Sequence, residues 1–192
     1  MGMPAQKSEW TAEMVRALPD DGNRYEVLDG ELSVTPAPSY RHQAVLARLY
    51  DRINPYVEQH ALGWTRWSPA DIEFSPRTAV QPDLFVVPND GRGEPRSWKD
   101  VKRLLLVVEG LSPSTASTDR LDKRPTYQKA NIPEYWILDI DSRLVERWRP
   151  TDDRPEVIAG VLEWHPKPEV EPLRITLEEI FGLPDVGTVT GA

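Results

Sequence analysis

Two carboxylates in this chain border its most apolar stretches. Glu109 closes "RLLLVVEG", which reads as a strand buried on both faces, and Asp83 heads "DLFVV" directly after Pro82. An ion in such a place is costly to bury unless it is paired or holds a metal. If the two strands pair, the carboxylates repel and raise one another's pKa. A hard divalent cation removes that repulsion, since Mg²⁺ takes oxygen ligands, usually one or two carboxylates plus water and substrate phosphate. Water bound to such an ion becomes a better nucleophile, and the ion offsets charge developing on phosphorus. The stretch "TDRLDKRPTYQK" adds a cation, with Asp119 and Lys123 at i and i+4 on one helical face. Lys123 is placed to orient or polarise an attacking water, or to stabilise transition-state charge. Asp119 would hold it, and Tyr127 falls near the same stripe. The plainer reading of these residues is a pair of capped strand-end acids and a solvated helix lysine.

The elements that must position these groups follow from pattern. "SEWTAEMVRALPDDG" predicts a short helix with Ser8 as N-cap and Pro19 as stop. "RYEVLDGELSV" is a hairpin around Asp29-Gly30, a dipeptide suited to a tight type I′ turn. "YRHQAVLARLYDRINPYVEQHA" carries Val45, Leu49, Ile53 and Val57 at four-residue steps, an amphipathic helix expected to kink or break before Pro55. Beyond Gly63, "WTRWSPADIEFS", "TAVQPDLFVVP", "RLLLVVEG", "EYWILDID" and "LVERWRP" are strand candidates. "STDRLDKRPTYQKANI" is a helix between the third and fourth, capped by Ser117 or Thr118, with Pro125 a local misfit. Strand, helix, strand is a βαβ unit, which calls for parallel neighbours. The expected class is α/β, a mixed sheet flanked by helices, with an N-terminal helix and hairpin. The Pro- and Glu-rich tail ends in one or two helical turns at "ITLEEIFGLP".

The chain's 192 residues suit one domain, with residues 1–8 and 186–192 expected to fray. The absence of cysteine removes disulfides, thiolate chemistry and cysteine-based zinc sites, and fits a cytoplasmic protein. Histidines at 42, 60 and 165 make no zinc motif. No apolar run approaches the ~20 residues of a membrane span, and the N-terminus lacks the apolar core of a signal peptide. Neither a G-x-S-x-G elbow around Ser112 and Ser114 nor a phosphate-binding glycine loop is present. A net charge of −8 is awkward for a nucleic-acid binder, whose nonspecific affinity comes from Lys and Arg on phosphates.

"RYEVLDGELSVTPAPSYRHQAVLARL", "QPDLFVV" and "VVEGLSPSTASTDRLDKRPTYQKANIPEYWILD" resemble, in order, the bacterial Uma-type restriction endonuclease family of the PD-(D/E)XK nuclease superfamily. The resemblance covers about Trp10 to Trp148. It implies a restriction-endonuclease-like core and a metal-dependent endonuclease hydrolysing DNA phosphodiester bonds. Asp83 and Glu109 would be the Mg²⁺ (or Mn²⁺) ligands and Lys123 the third catalytic group. The superfamily motif places lysine two positions after the acid, where this chain has Leu111, so the lysine has moved to the following helix. Glu31, and beside it Glu26, resemble an acid that some superfamily members supply from an early element. His42 matches a family position without a stated role. Gly110 stands where an apolar residue is usual, either bending the strand or letting backbone approach a ligand. The rival readings are a catalytically inactive nuclease-fold binding or scaffold protein, and a hydrolase of another phosphate ester. A homodimer is expected only by analogy with nucleases that cut both strands.

Overall fold

In the computed structural model, which describes residues 9–112 and 116–182, the first helix, α1, is a short turn at Ala12–Arg16. Its N-cap is Thr11, whose hydroxyl accepts the Met14 N–H at 3.2 Å. The predicted cap, Ser8, lies outside the described residues. The hairpin follows as β1 (Arg24–Leu28) and β2 (Glu31–Thr35). Asp29 and Gly30 both take positive φ, 49° and 89°, as a type I′ turn requires. The loop 36–39 then leads to α2 (Tyr40–Gln59), where Ser39 accepts the His42 N–H at 3.2 Å.

Helix α2 does not break at Pro55, contrary to the expectation from sequence. Proline removes the donor to the Asp51 carbonyl, but both residues are exposed and water can meet that oxygen. Two single-strand candidates each divide in two. "WTRWSPADIEFS" forms β3 (Gly63–Trp67) and β4 (Ile72–Ser75), and "TAVQPDLFVVP" forms β5 (Thr78–Val80) and β6 (Leu84–Pro88). A 3-10 turn at Trp98–Asp100 precedes β7 (Leu106–Gly110).

The next helical stretch starts at α3 (Ala116–Thr118), widens into a π segment (Asp119–Lys123) and ends as α4 (Arg124–Lys129). Ser117 and Thr118 lie within it rather than capping it. Pro125 accounts for the wide turn. It has no N–H to give, and the Arg124 N–H reaches back five residues to the Asp119 carbonyl. Strands β8 (Glu134–Asp139) and β9 (Leu144–Trp148) follow, then β10 (Glu156–Ile158), β11 (Val161–Trp164) and β12 (Leu173–Thr176), none of the last three expected, and finally α5 (Leu177–Phe181).

Among the described residues the central sheet has the order β10-β9-β8-β7-β6-β3. Strands β7 and β8 run parallel across the helical crossover, and the other pairings are antiparallel. A second sheet, β2-β1-β5-β4, carries the hairpin, and β11 pairs with β12. Successive side chains of a strand face opposite ways. Thus Leu84, Val86, Leu106, Val108, Trp136 and Leu138 meet the apolar stripe of α2 on one side. Phe85, Val87, Val107, Tyr135 and Ile137 meet Ile72, Val80 and Tyr127 on the other. The architecture is therefore the mixed α/β sheet flanked by helices that the sequence predicts.

Leu49, fully buried on the α2 stripe, has no room to collapse onto. Leu49→Ala is expected to cost about 2–5 kcal/mol. Thermal denaturation followed by circular dichroism would then show a drop of roughly 4–20 °C, at about 2–4 °C per kcal/mol for a chain of this size.

Candidate active site

Strand β6 pairs with β7 through Leu84 opposite Val108, so one further step of that register sets Asp83 against Glu109. Both acids lie at the same end of the sheet and are almost wholly buried. Asp83 Oδ2 accepts the Gly110 backbone N–H at 2.9 Å and lies 2.9 Å from His42 Nε2. Its Oδ1 accepts from Arg24 Nη1 at 2.7 Å. Burial by itself disfavours this carboxylate's charge. The His42 hydrogen bond and the charges of Arg24, His42 and Lys123 together outweigh it and hold Asp83 well below the usual carboxylate range.

Gly110 is explained by the same contacts. A β-carbon there would lie 2.7 Å from His42 Nε2, so only glycine lets the imidazole reach both Asp83 and the Gly110 carbonyl, 3.2 Å away. Backbone approach to a side chain, not to a ligand, is what this residue permits.

Glu109 meets the helical crossover. Its Oε1 accepts from Lys123 Nζ at 3.0 Å and from the Tyr127 hydroxyl at 2.9 Å. Lys123 Nζ also lies 2.9 Å from Glu26 Oε2 and 3.7 Å from Asp119 Oδ1. The π segment carries Asp119 and Lys123 inward together, and α4 then delivers Tyr127. Tyr135 on β8 fixes the turn by donating to the Asp119 carbonyl at 3.1 Å. Burial and the charges of Asp83, Asp119 and Glu26 push Glu109 well above the ordinary carboxylate pKa, against the opposing pull of Lys123. Burial would depress the Lys123 pKa, yet Glu109, Glu26 and Asp119 raise it above the ordinary lysine value. Lys123 is a fixed cation, not a base. Burial and the nearby Glu109 and Glu26 likewise keep the Tyr127 hydroxyl protonated.

The predicted residues Asp83, Glu109, Lys123, Asp119 and Tyr127 thus converge. Glu31 does not. It sits exposed beside the hairpin turn, on the rim of a separate cavity of about 610 Å³ with Asp122 and Lys129. The acid that reaches the site from the hairpin is Glu26, fully buried, which also accepts the Gln81 N–H at 2.7 Å and so ties β1 to the segment before Asp83. Arg24 was not anticipated. It lies two residues from Glu26 on the same face of β1, a period-two pairing of opposite charges that was visible in "RYE".

Whether this set suits a divalent cation can be judged from its charge. Four buried acids (Glu26, Asp83, Glu109, Asp119) face two fixed cations (Arg24, Lys123), so acidic groups exceed cations by 4 − 2 = 2. A divalent ion matches that excess, and the donors are hard oxygens. Among the described residues no three His, Cys, Asp or Glu side chains form a ready cage. The protein would provide one or two carboxylates and leave the remaining positions to water, as is usual for Mg²⁺. Asp83, Glu109 and Asp119 open into a cavity of about 180 Å³ bounded by Arg24, Thr35, the 36–39 loop, His42, Gly110, Ser112 and Lys123.

The chain is thus a mixed α/β protein with a buried acid-lysine cluster at one end of its central sheet. A solved structure of a putative nuclease belonging to DUF820 from Anabaena variabilis superposes with a TM-score of 0.72 at 19% identity, over 90% of this chain and 97% of that one. The model of the Uma2 family, described as "Putative restriction endonuclease", matches residues 12–179, and the chain belongs to that family. No curated protein matches it.

Proposed function

We propose that this protein is a metal-dependent endonuclease that hydrolyses DNA phosphodiester bonds. The observation that carries this reading is the convergence of Asp83, Glu109 and Lys123 around a small cavity where buried acids outnumber fixed cations. Asp83 and Glu109 would hold Mg²⁺ or Mn²⁺, which when bound supplies an activated water and Lewis-acid stabilisation of the phosphate. Arg24, His42 and the Gly110 N–H orient Asp83 and keep it ionised. Lys123 offsets negative charge growing on the phosphate and cannot deprotonate the water, because three acids keep it protonated. Tyr127 positions Glu109 through its hydroxyl. Attack is in line, one P–O bond forming as the opposite one breaks, without a covalent intermediate.

A second reading is favoured by a specific contact. Both Asp83 oxygens already have partners, and Arg24 must share or release Oδ1 before an ion can bind there. A chain in which Arg24 never yields would be a binding or scaffold protein on a nuclease fold. Calorimetric titration with Mg²⁺ and a circular-plasmid nicking assay with Mg²⁺ or Mn²⁺ decide between them. The nuclease reading expects saturable Mg²⁺ binding that Asp83→Asn abolishes, together with metal-dependent nicking. Neither binding nor nicking in the natural protein would establish the scaffold reading. Cleavage of a small phosphodiester but not of DNA would point to another phosphate ester.

A further inference from the structure

A second, larger cavity of about 560 Å³ opens beside the acid cluster and shares Arg24, His42, Asp83 and the Pro36–Pro38 loop with it. Resting on the nuclease reading of that cluster, we infer that this cavity is a subsite for one unpaired nucleobase, so that the substrate is single-stranded DNA or an unpaired stretch within a duplex such as a supercoiled plasmid.

Position comes first. The face of α2 that starts at His42 continues through Leu46 to Tyr50, each one step of four residues further along the cavity wall. From His42 to Tyr50 the helix rises about 12 Å, enough to set a base and its sugar beyond a phosphate held at Asp83. Chemistry comes next. The far wall is Trp67 on the edge strand β3, 54% exposed, its ring 4.8 Å from that of Tyr50 and nearly perpendicular to it. Asn23, Gln43 and Asp51 border the same space and offer the donors and acceptors that a base edge needs. Volume agrees as well, since small-molecule sites run from about 300 to 1,000 Å³.

Charge argues against a duplex. Net charge is −8, and among the described residues lining the cavity Arg24 is the one lysine or arginine, already paired with Asp83, beside the acids Asp20 and Asp51. Duplex binding depends on free cations meeting phosphates, whereas stacking on an aromatic ring does not. A base within a duplex is stacked and paired and does not enter a concave pocket unless it is flipped out.

The test measures binding separately from cleavage. Fluorescence anisotropy is recorded with a short labelled oligothymidine strand, and with a blunt duplex of equal length, in EDTA so that nothing is cut. The single strand is expected to bind at least about tenfold more tightly than the duplex. Trp67→Ala is expected to weaken it by about five- to hundredfold, the range of one lost stacking contact. Trp67 is exposed, and the fold of the variant is checked by its melting curve. Ala47→Leu, which adds bulk from an exposed position on the cavity wall, is expected to weaken single-strand binding in the same direction. Equal affinity for strand and duplex, or variants that bind as the natural protein does, would overturn the subsite. Strand binding through Trp67 without metal-dependent cleavage keeps the subsite and removes the nuclease reading. Duplex nicking unaffected by Trp67→Ala, with no preference for single strands, does the reverse.

Discussion

Lys123→Met is expected to destabilise the protein by about 3–5 kcal/mol, because it keeps the side chain's bulk and deletes the one cation shared by Glu26, Glu109 and Asp119. At about 2–4 °C per kcal/mol this corresponds to a fall in Tm of roughly 6–20 °C at pH 7. The loss should depend on pH in a definite direction. Lys123 has a raised folded-state pKa, so its own contribution is complete below the unfolded lysine value of about 10.4 and fades only as pH rises beyond that. Across pH 5–8 any variation therefore comes from the acids it leaves behind. Glu109, already raised, is pushed higher without its partner and favours the folded state when protonated. The deficit of Lys123→Met should consequently shrink as pH falls from 8 to 5, measured by melts across that range. A variant within about 1 kcal/mol of the natural protein at pH 7 would mean that the buried ion pairs do not hold the cluster together. Plasmid nicking by the variant should be undetectable at any temperature where it is folded.

Much of this cluster was legible from local pattern, and the rest was not for a physical reason. An acid at the end of an apolar strand is visible because burial of charge is expensive wherever the strand lies, and this singled out Asp83 and Glu109. Lys123 followed from a four-residue step, which survives the π segment because the wide turn still carries Asp119 and Lys123 to one side. Glu26 and Glu31 are different. Both lie on one face of one hairpin, as the pairings Leu28–Glu31 and Glu26–Ser33 require, and the hairpin alone does not say which end of that face is covered. That depends on β1 pairing with β5 and so lying over Gln81, a contact 55 residues away in sequence. Arg24 was hidden by the same distance, since its partner Asp83 is 59 residues away. The strands β10 to β12 escaped notice because their outward residues, such as Val157 and Val161, are exposed and the sequence between them is rich in proline. Pro125 announced a misfit, but only the carbonyl reach of Arg124 reveals its form as a π turn.

Glu109→Gln is expected to separate stability from activity in opposite directions. Burial and the neighbouring Asp83, Asp119 and Glu26 charges raise the folded-state pKa of Glu109, so the folded protein takes up a proton more readily there than the unfolded chain does. As pH rises from the unfolded value of about 4.3 towards the folded one, that difference costs stability, and above the folded value the full cost persists. Glutamine has the same shape, still accepts from Lys123 and Tyr127, and carries no charge to desolvate. Lys123 keeps Glu26 and Asp119 as counter-ions. The variant should therefore be more stable than the natural protein at pH 7 by upwards of about 1 kcal/mol, because the cost of ionising a buried carboxyl is removed while Lys123 keeps its other partners. Melting curves should show a rise in Tm that narrows to nothing as pH approaches 4.5. Added Mg²⁺ should narrow it too, because an ion that binds only the folded state stabilises the natural protein and not the variant. Plasmid nicking by the variant should be lost. If Glu109→Gln instead melts below the natural protein at pH 7, Glu109 is an ionised structural partner of Lys123, and its burial serves the fold rather than an ion. A gain in stability with a loss of nicking would mark Glu109 as a charge kept at the fold's expense for the chemistry it performs.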